Sequence, residues 1–311
     1  MGIKIVFFGT PQIARSILHS LIEKNANIVA VVTTPDKPVG RSGKLAPSSV
    51  KQLAVEKGLP LYQPRKASVL EFAQLLEKLH ADLFVVVAYG EIFKENLLEM
   101  PRLGCINVHA SLLPKYRGAA PIQRCIMAGE KESGVTIMRM TPELDAGDML
   151  AVVKTPVGAD MTAGELFIEI EKMGAEALWN VIESLEKGDA RPIQQDSREA
   201  SYARKLCIED GEVDWKKPAK EHYDQIRGVT PKPGAWCNVE IGGKSKRLLI
   251  KKARLSLESG KRRGEHLSNR ELLIACEGGG SIQLLEIQLE GKKTLTVHDF
   301  LKGTPVSNIK F

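Results

Sequence analysis

The chain has 311 residues, 43% apolar and 26% charged, with a formal net charge of +6. That balance predicts an ordinary globular core and about two domains, and it excludes disorder as the default state. No apolar run approaches the ~20 residues of a membrane span, and so mild a charge permits a polyanionic partner without requiring one.

The chain enters a strand at once. Residues 3–8, 28–33 and 83–88 are short, β-branched and not alternating, the pattern of strands buried on both faces. Between the first two, residues 12–24 carry Ile13, Ile17, Leu18, Leu21 and Ile22 at helical spacing. Strands alternating with helices predict an α/β fold, a Rossmann-like, doubly wound, mostly parallel sheet. Further strands are expected at 106–109, 135–140 and 150–154. A long helix should follow, opened by a capping box at Thr162 and Glu165 and running to about Leu185. Residues 189–201 are polar and aperiodic, so a first domain over 1–188 should pass through a linker, 189–205, into a second over 206–311. There a helix is expected near 220–227. Strands at 235–241, 247–257, 272–276 and 282–288, with glycine turns, suggest a small barrel or sandwich. The five cysteines are scattered and form no Cys-x-x-Cys pair. They predict reduced, buried thiols in a cytoplasmic protein, and no signal or transit segment is expected ahead of the first strand.

Three places could carry chemistry. The first strand-to-helix turn, Gly9-Thr10-Pro11, has one glycine and a proline where a dinucleotide fingerprint needs Gly-x-Gly-x-x-Gly, which argues against a nicotinamide enzyme. Asn107 and His109 stand two apart at a strand end, so they share a face where open sheets place ligands. An amide donor beside an imidazole suits a carbonyl oxygen that gains charge during attack, although such a pair taken alone is more often a plain polar strand end. Asp145 lies in the turn Leu144-Asp145-Ala146-Gly147-Asp148, where it could orient His109 or take a proton, or could merely close the turn.

The run His109-Ala110-Ser111-Leu112-Leu113-Pro114-Lys115-Tyr116-Arg117-Gly118-Ala119-Ala120-Pro121-Ile122, completed by the turn at 144–148, closely resembles the folate-dependent formyltransferases. The insertion at 34–45, with Lys37, Arg41 and Lys44, is similar to the one carried by the branch that acts on initiator methionyl-tRNA. Tyr202-Ala203-Arg204-Lys205, Asp214-Trp215 and Gly291-Lys292-Lys293 resemble that branch's later landmarks, so the likeness spans nearly the whole chain. It implies a Rossmann-like catalytic domain followed by an OB-like barrel that binds tRNA. It implies 10-formyltetrahydrofolate as donor, with no metal, and the methionine α-amino group on initiator tRNA as acceptor. Asn107, His109 and Asp145 would be catalytic, and Ser111, Leu112, Leu113 and Pro114 would contact folate.

Residues 244–263 hold Lys244, Lys246, Arg247, Lys251, Lys252, Arg254, Lys261, Arg262 and Arg263 against the single acid Glu258. Such a run is often only a solvated face, yet its overlap with predicted strands suits a surface that tracks phosphates. Three rivals remain. A formyltransferase acting on a sugar nucleotide or on glycinamide ribonucleotide is disfavoured by the 34–45 insertion and the basic C-terminal region. A dehydrogenase lacks its glycine fingerprint. A silent RNA-binding module would not need Asn107, His109 and Asp145.

Overall fold

The computed structural model describes residues 2–39, 43–260, 262–268 and 270–311. Arg41 and Lys261 lie outside the described residues.

In chain order the elements are β1 (Lys4–Gly9), α1 (Gln12–Glu23), β2 (Asn27–Val32), β3 (Lys37–Val39), β4 (Lys44–Ala46), α2 (Ser49–Glu56), β5 (Leu61–Tyr62), α3 (Leu70–Glu77), β6 (Leu83–Val87), α4 (Glu95–Leu98), β7 (Cys105–His109) and β8 (Arg117–Gly118). There follow α5 (Pro121–Met127), β9 (Glu132–Arg139), β10 (Met149–Pro156), α6 (Ala163–Lys187), β11 (Tyr202–Ala203) and α7 (Ala219–Gly228). The chain closes with β12 (Ala235–Ile241), β13 (Lys244–Ser256), β14 (Leu272–Ala275), β15 (Ser281–Leu289), β16 (Leu295–Thr296), α8 (Val297–Gly303) and β17 (Ile309–Lys310). They group into two compact units. The first comprises Met1–Gly118, Ser133–Thr155 and Phe167–Ala203, and the second Ala119–Glu132, Pro156–Leu166 and Arg204–Phe311.

A seven-stranded sheet in the order β10-β9-β7-β6-β1-β2-β5 forms the frame of the first unit. β1 pairs in parallel with β2 and β6, β6 with β7, and β2 with β5, while β9 runs antiparallel to β7. The continuous apolar runs mark its central strands: every residue of β6, and all of β1 after Lys4, is buried. The chain builds outward from β1 first through β2 and β5, then through β6 and β7, so the order reverses beside β1. Open α/β sheets bind ligands at the carboxyl ends of the strands near such a reversal. Phe8 anchors one face, with ring centroids 5.2 Å from Phe84, 5.5 Å from Tyr89 and 4.9 Å from Phe93. Tilted and edge-on pairs of this kind are worth ~0.5–1.5 kcal/mol each beyond the area they bury. At the first turn, a Cβ on Gly9 would press on Ala14, Phe7 and the Val87 carbonyl. Close packing accounts for that glycine without any bound pyrophosphate.

α6 begins as the sequence predicts. The Glu165 N–H donates to Thr162 Oγ1 at 3.3 Å, and the Glu165 carboxylate accepts the Thr162 N–H at 2.7 Å. Two elements differ from the sequence reading. The insertion at 34–45 is not merely a loop: β3 and β4 pair as a hairpin, Lys37 opposite Ala46. Its base is fixed by Asp36, which accepts from Lys51 at 2.8 Å and from Gln63 at 2.8 Å, and those bonds hold its carboxyl below the usual range. Alternation is hard to see in strands of three residues that contain Pro38, an edge-strand residue. The polar stretch 189–201 is irregular, as its composition predicts, but it is tied down. Ile193 and Met149 exchange backbone hydrogen bonds at 2.8 Å, Gln195 is buried, and β11 pairs with β8.

In the second unit an antiparallel sheet runs β14-β15-β13-β12-β17, with β16 added on β15. It curls as an OB-like half-barrel over a core that includes Trp215, Tyr223, Leu248, Ile250, Ile282, Leu284 and Phe300. β13 bends through irregular register around Lys252, and bulges of this type increase local twist. α5 belongs to this unit and packs on α7. A Cβ at Gly228 would strike Met127 and the Gln123 carbonyl, so the small residue permits the approach.

Four cysteines are buried, and Cys207 is exposed, contrary to the expectation of a fully buried set; all five are free. A cysteine in a polar stretch gives no pattern from which its burial could be judged. Burial pushes the Cys105 thiol up to about 12 and that of Cys276 to about 11, so both are inert at neutral pH. Among the described residues no helix is long and apolar enough to cross a membrane, and no group of three or more His, Cys, Asp or Glu could hold a metal ion.

Candidate active site

β7 carries Asn107 and His109 to the carboxyl edge of the sheet, between β6 and β9. Asn107 pairs with Val86 on one side and Met138 on the other, and His109 with Thr136. The period of two puts both side chains on one face. Asn107 is half-buried, and its amide has no side-chain hydrogen bond among the described residues. His109 is only 5% exposed. Its Nε2 lies 2.9 Å from the Tyr116 carbonyl oxygen, which can only accept, so this nitrogen carries the hydrogen. Its Nδ1 faces the Asp145 carboxylate at 3.6 Å, an ion-pair separation longer than a hydrogen bond.

Asp145 arrives from the turn between β9 and β10. Its Oδ2 accepts the Gly118 N–H at 2.8 Å, so the carboxylate is held from one side while facing the imidazole on the other. Its backbone is left-handed, φ 49°, as is that of Tyr116, φ 61°. Non-glycine residues in this region cost ~1–2 kcal/mol and persist where surrounding contacts fix them. Both residues present an oxygen to His109.

The segment Ser111 to Pro114 forms the next turn, and much of it faces inward. The Thr136 hydroxyl donates to the Ser111 carbonyl at 2.7 Å and accepts the Leu113 N–H at 3.2 Å. The Ser111 hydroxyl donates to the Lys115 carbonyl at 2.6 Å, and Ser111 and Leu113 are buried. Leu112 and Pro114 are the partly exposed members of the four. A Cβ on Gly134 would strike the Val153 carbonyl oxygen first and the Leu112 side chain next, so the close backbone approach explains why β9 carries a glycine there.

Past the carboxyl ends of β2 and β6 a cleft of about 490 Å³ is lined by residues including Thr34, Lys37, Arg65, Lys66, Tyr89 and Glu91, and by none of Asn107, His109, Asp145 and residues 111–114. The Glu91 carboxylate is engaged by the Ala67 N–H at 2.8 Å, while Lys37, Arg65 and Lys66 are exposed. Sequence reasoning missed Arg65 and Lys66, since two cations after Pro64 look like any solvated loop. It also assigned no role to Arg117, which is 1% exposed, or to Gln195, which bonds to it. Neither stands out by period or composition.

The basic run of the second unit is distributed unevenly. On β13, Leu248 and Ile250 face the core while Lys251, Lys252 and Arg254 are exposed. Lys244 and Lys246 are exposed at the hairpin end. The Arg247 guanidinium lies 4.0 Å from the Trp236 ring centroid, a cation–π contact that ties part of its charge to the fold. Arg263 pairs with Glu277 at 3.5 Å.

The parallel-rich sheet of the first unit and the curled antiparallel sheet of the second have the two-part architecture of the formyl-transferring enzymes. Residues 3–182 match the model of the formyl transferase family, and residues 205–305 that of the formyl transferase C-terminal domain. The methionyl-tRNA formyltransferase of Protochlamydia amoebophila is 47% identical over 99% of this chain and 97% of its own. That of Symbiobacterium thermophilum is 44% identical over 97% and 92%. The chain belongs to the methionyl-tRNA formyltransferase family. Among solved structures, an N-formyltransferase from Helicobacter canadensis in complex with folinic acid and dTDP-3-aminofucose shares the fold at TM-score 0.67 and 21% identity, over 91% of this chain and 99% of that one. HypX from Aquifex aeolicus in complex with tetrahydrofolic acid does so at TM-score 0.65 and 20% identity, over 98% of this chain and 48% of that one.

Proposed function

We propose that the chain transfers the formyl group of 10-formyltetrahydrofolate to the α-amino group of methionine on initiator tRNA, in the cytoplasm, and so supports translation initiation. The observation that carries this reading is the placing of Asn107 and His109 on one face at the end of β7, with the Asn107 amide unengaged among the described residues and His109 held between the Tyr116 carbonyl and the Asp145 carboxylate.

The amine attacks the formyl carbon, the carbonyl oxygen gains charge as the new C–N bond forms, and the bond to folate N10 breaks as the carbonyl re-forms. Asn107 donates to the developing oxyanion, and His109 assists. Asp145 orients His109 and takes the amine proton, directly or through water, for return to N10. The N-formyl donor is already activated, so no metal enters the step. Leu112 and Pro114 present the partly exposed surface of the turn to the folate, with Ser111 and Leu113 shaping it from within. The cleft with Lys37, Arg65 and Lys66 suits an anionic co-substrate. Residues 1–188 supply the chemistry, and residues 206–311, joined through 189–205, help hold tRNA.

The basic surface and the insertion divide tRNA binding between them. Phosphate contacts supply affinity with little sequence information. Replacing Lys251 and Lys252 together with Ala is expected to weaken initiator and elongator tRNAs alike and to reduce the slope of log K against log salt by about 1 per lysine. A filter-binding series from low to moderate salt reads this directly, and an unchanged slope would remove these residues from the interface. Choice needs a reader near the amine, and Arg41, with Lys37 and Lys44 on the flanking strands, is assigned that part. Arginine forks into base edges and phosphates where lysine is a point charge. Arg41→Ala should sharply lower kcat/KM for initiator Met-tRNA with folate affinity intact, and Arg41→Lys should restore only part. Normal discrimination between the two tRNAs in Arg41→Ala would take the insertion out of the account.

A further inference from the structure

We propose that Gln195 is a positioning residue for the reaction: its amide locks the Asp145–Gly147 turn and so aims the Asp145 carboxylate at His109. The proposal rests on the formyl-transfer reading above and adds to it a residue from outside the catalytic motifs.

Gln195 is 7% exposed, in a stretch whose neighbours are largely exposed. Its Nε2 donates to the carbonyls of Asp145 at 2.9 Å and Gly147 at 2.7 Å. Its Oε1 accepts from Arg117 Nε at 3.2 Å and Nη2 at 2.9 Å. The amide orientation follows from chemistry: the guanidinium can only donate and the two carbonyls can only accept. All four bonds are satisfied by one group with a donor end and an acceptor end. Glutamate keeps the shape but turns carboxylate oxygens toward two carbonyls. Asparagine is one methylene short, and alanine leaves Arg117, Asp145 and Gly147 short of a partner.

Arg117 ties this clamp to the reacting groups. It is 1% exposed, and its carboxylate partner, Glu143 at 3.4 Å, is itself 70% exposed. The neutral Gln195 oxygen therefore takes two of the guanidinium's hydrogen bonds. The next residue, Gly118, donates its N–H to the Asp145 carboxylate. Arg117 and Gly118 form β8, which pairs with Tyr202 and Ala203 a few residues beyond Gln195. Asp145 is thus held at both ends, its carboxylate by Gly118 and its carbonyl by Gln195, across a left-handed backbone that would not hold that shape unaided.

The test is a double-mutant cycle of Gln195→Glu and Asp145→Asn. Gln195→Glu is expected to lower kcat at least tenfold with KM for both substrates within about twofold, and to lower the melting temperature in protein that still folds, because Arg117 keeps an acceptor while the Asp145 and Gly147 carbonyls lose their donor. In the Asp145→Asn background the same change should cost little further, since its effect runs through the missing carboxylate. A second readout does not depend on the acceptor: the His109 ring Nδ1 resonance in ¹⁵N-histidine-labelled protein should move in Gln195→Glu. Additive losses in the cycle with an unmoved His109 resonance would overturn the proposal, as would near-normal kcat in Gln195→Glu. Should the wild-type protein fail to formylate Met-tRNA, the functional reading fails, while the His109 resonance still decides whether Gln195 sets the Asp145 geometry.

Discussion

Asn107→Ala, His109→Ala and Asp145→Ala are each expected to lower turnover by a hundredfold or more, with the fold retained. Loss of one oxyanion donor typically costs 10²–10³ in rate, on the order of 3 kcal/mol of transition-state stabilisation. Asn107 contributes an amide that no other side chain engages among the described residues, so its removal leaves little unsatisfied behind. His109 is different. Its loss removes a hydrogen-bond partner of the Tyr116 carbonyl and the group the Asp145 carboxylate faces, so some loss of stability accompanies the loss of rate. Because the three act as a unit, combined substitutions should cost far less than the sum of the separate effects. Single-turnover kinetics on variants checked by circular dichroism and thermal melting separate the two contributions. Near-normal turnover in any one of them would cancel the role assigned to it.

The second large effect is expected from a residue with no side chain. A Cβ on Gly147 would overlap the Arg139 carbonyl oxygen and crowd its carbonyl carbon, and backbone atoms cannot step aside as a flexible side chain can. The Arg139 backbone is itself fixed, its N–H donating to the Asp148 carbonyl at 2.9 Å and its neighbour Met140 to the Cys105 carbonyl at 2.8 Å. Gly147→Ala must therefore move the turn, and Asp145 moves with it. Displacement of a catalytic group by about 1 Å commonly costs about a hundredfold, and overpacking of this kind adds about 1–3 kcal/mol of destabilisation. The expected result is turnover down by roughly a hundredfold in protein that is still folded at assay temperature. Turnover within a few-fold of normal would show that the turn does not set the position of Asp145.

The frame of the molecule was legible because buried strands and amphipathic helices write period and composition directly into the chain. Residues such as Ile3, Ile5, Val6 and Phe7, or the Thr162 and Glu165 box, leave few alternatives. The catalytic candidates were legible by type and strand position, but only as a polar strand end and a turn aspartate until the resemblance supplied a purpose. The supporting contacts could not be read. Gln195 sits in a polar stretch where a glutamine is unremarkable, and its importance comes from facing Arg117 across 78 positions of sequence. The β3–β4 hairpin was hidden by its three-residue strands. The grouping of α5 with α7 was hidden because helix period shows which face is buried but not which neighbour buries it.

The most direct test follows the formyl group itself. Protein is mixed with 10-formyltetrahydrofolate labelled in the formyl carbon and with initiator tRNA charged with methionine, and the label and tetrahydrofolate are quantified together. The expected result is label on the methionine nitrogen, with one tetrahydrofolate released for each formylmethionyl-tRNA made. Label appearing as free formate, or tetrahydrofolate released without formylation of the tRNA, would contradict transfer to this acceptor.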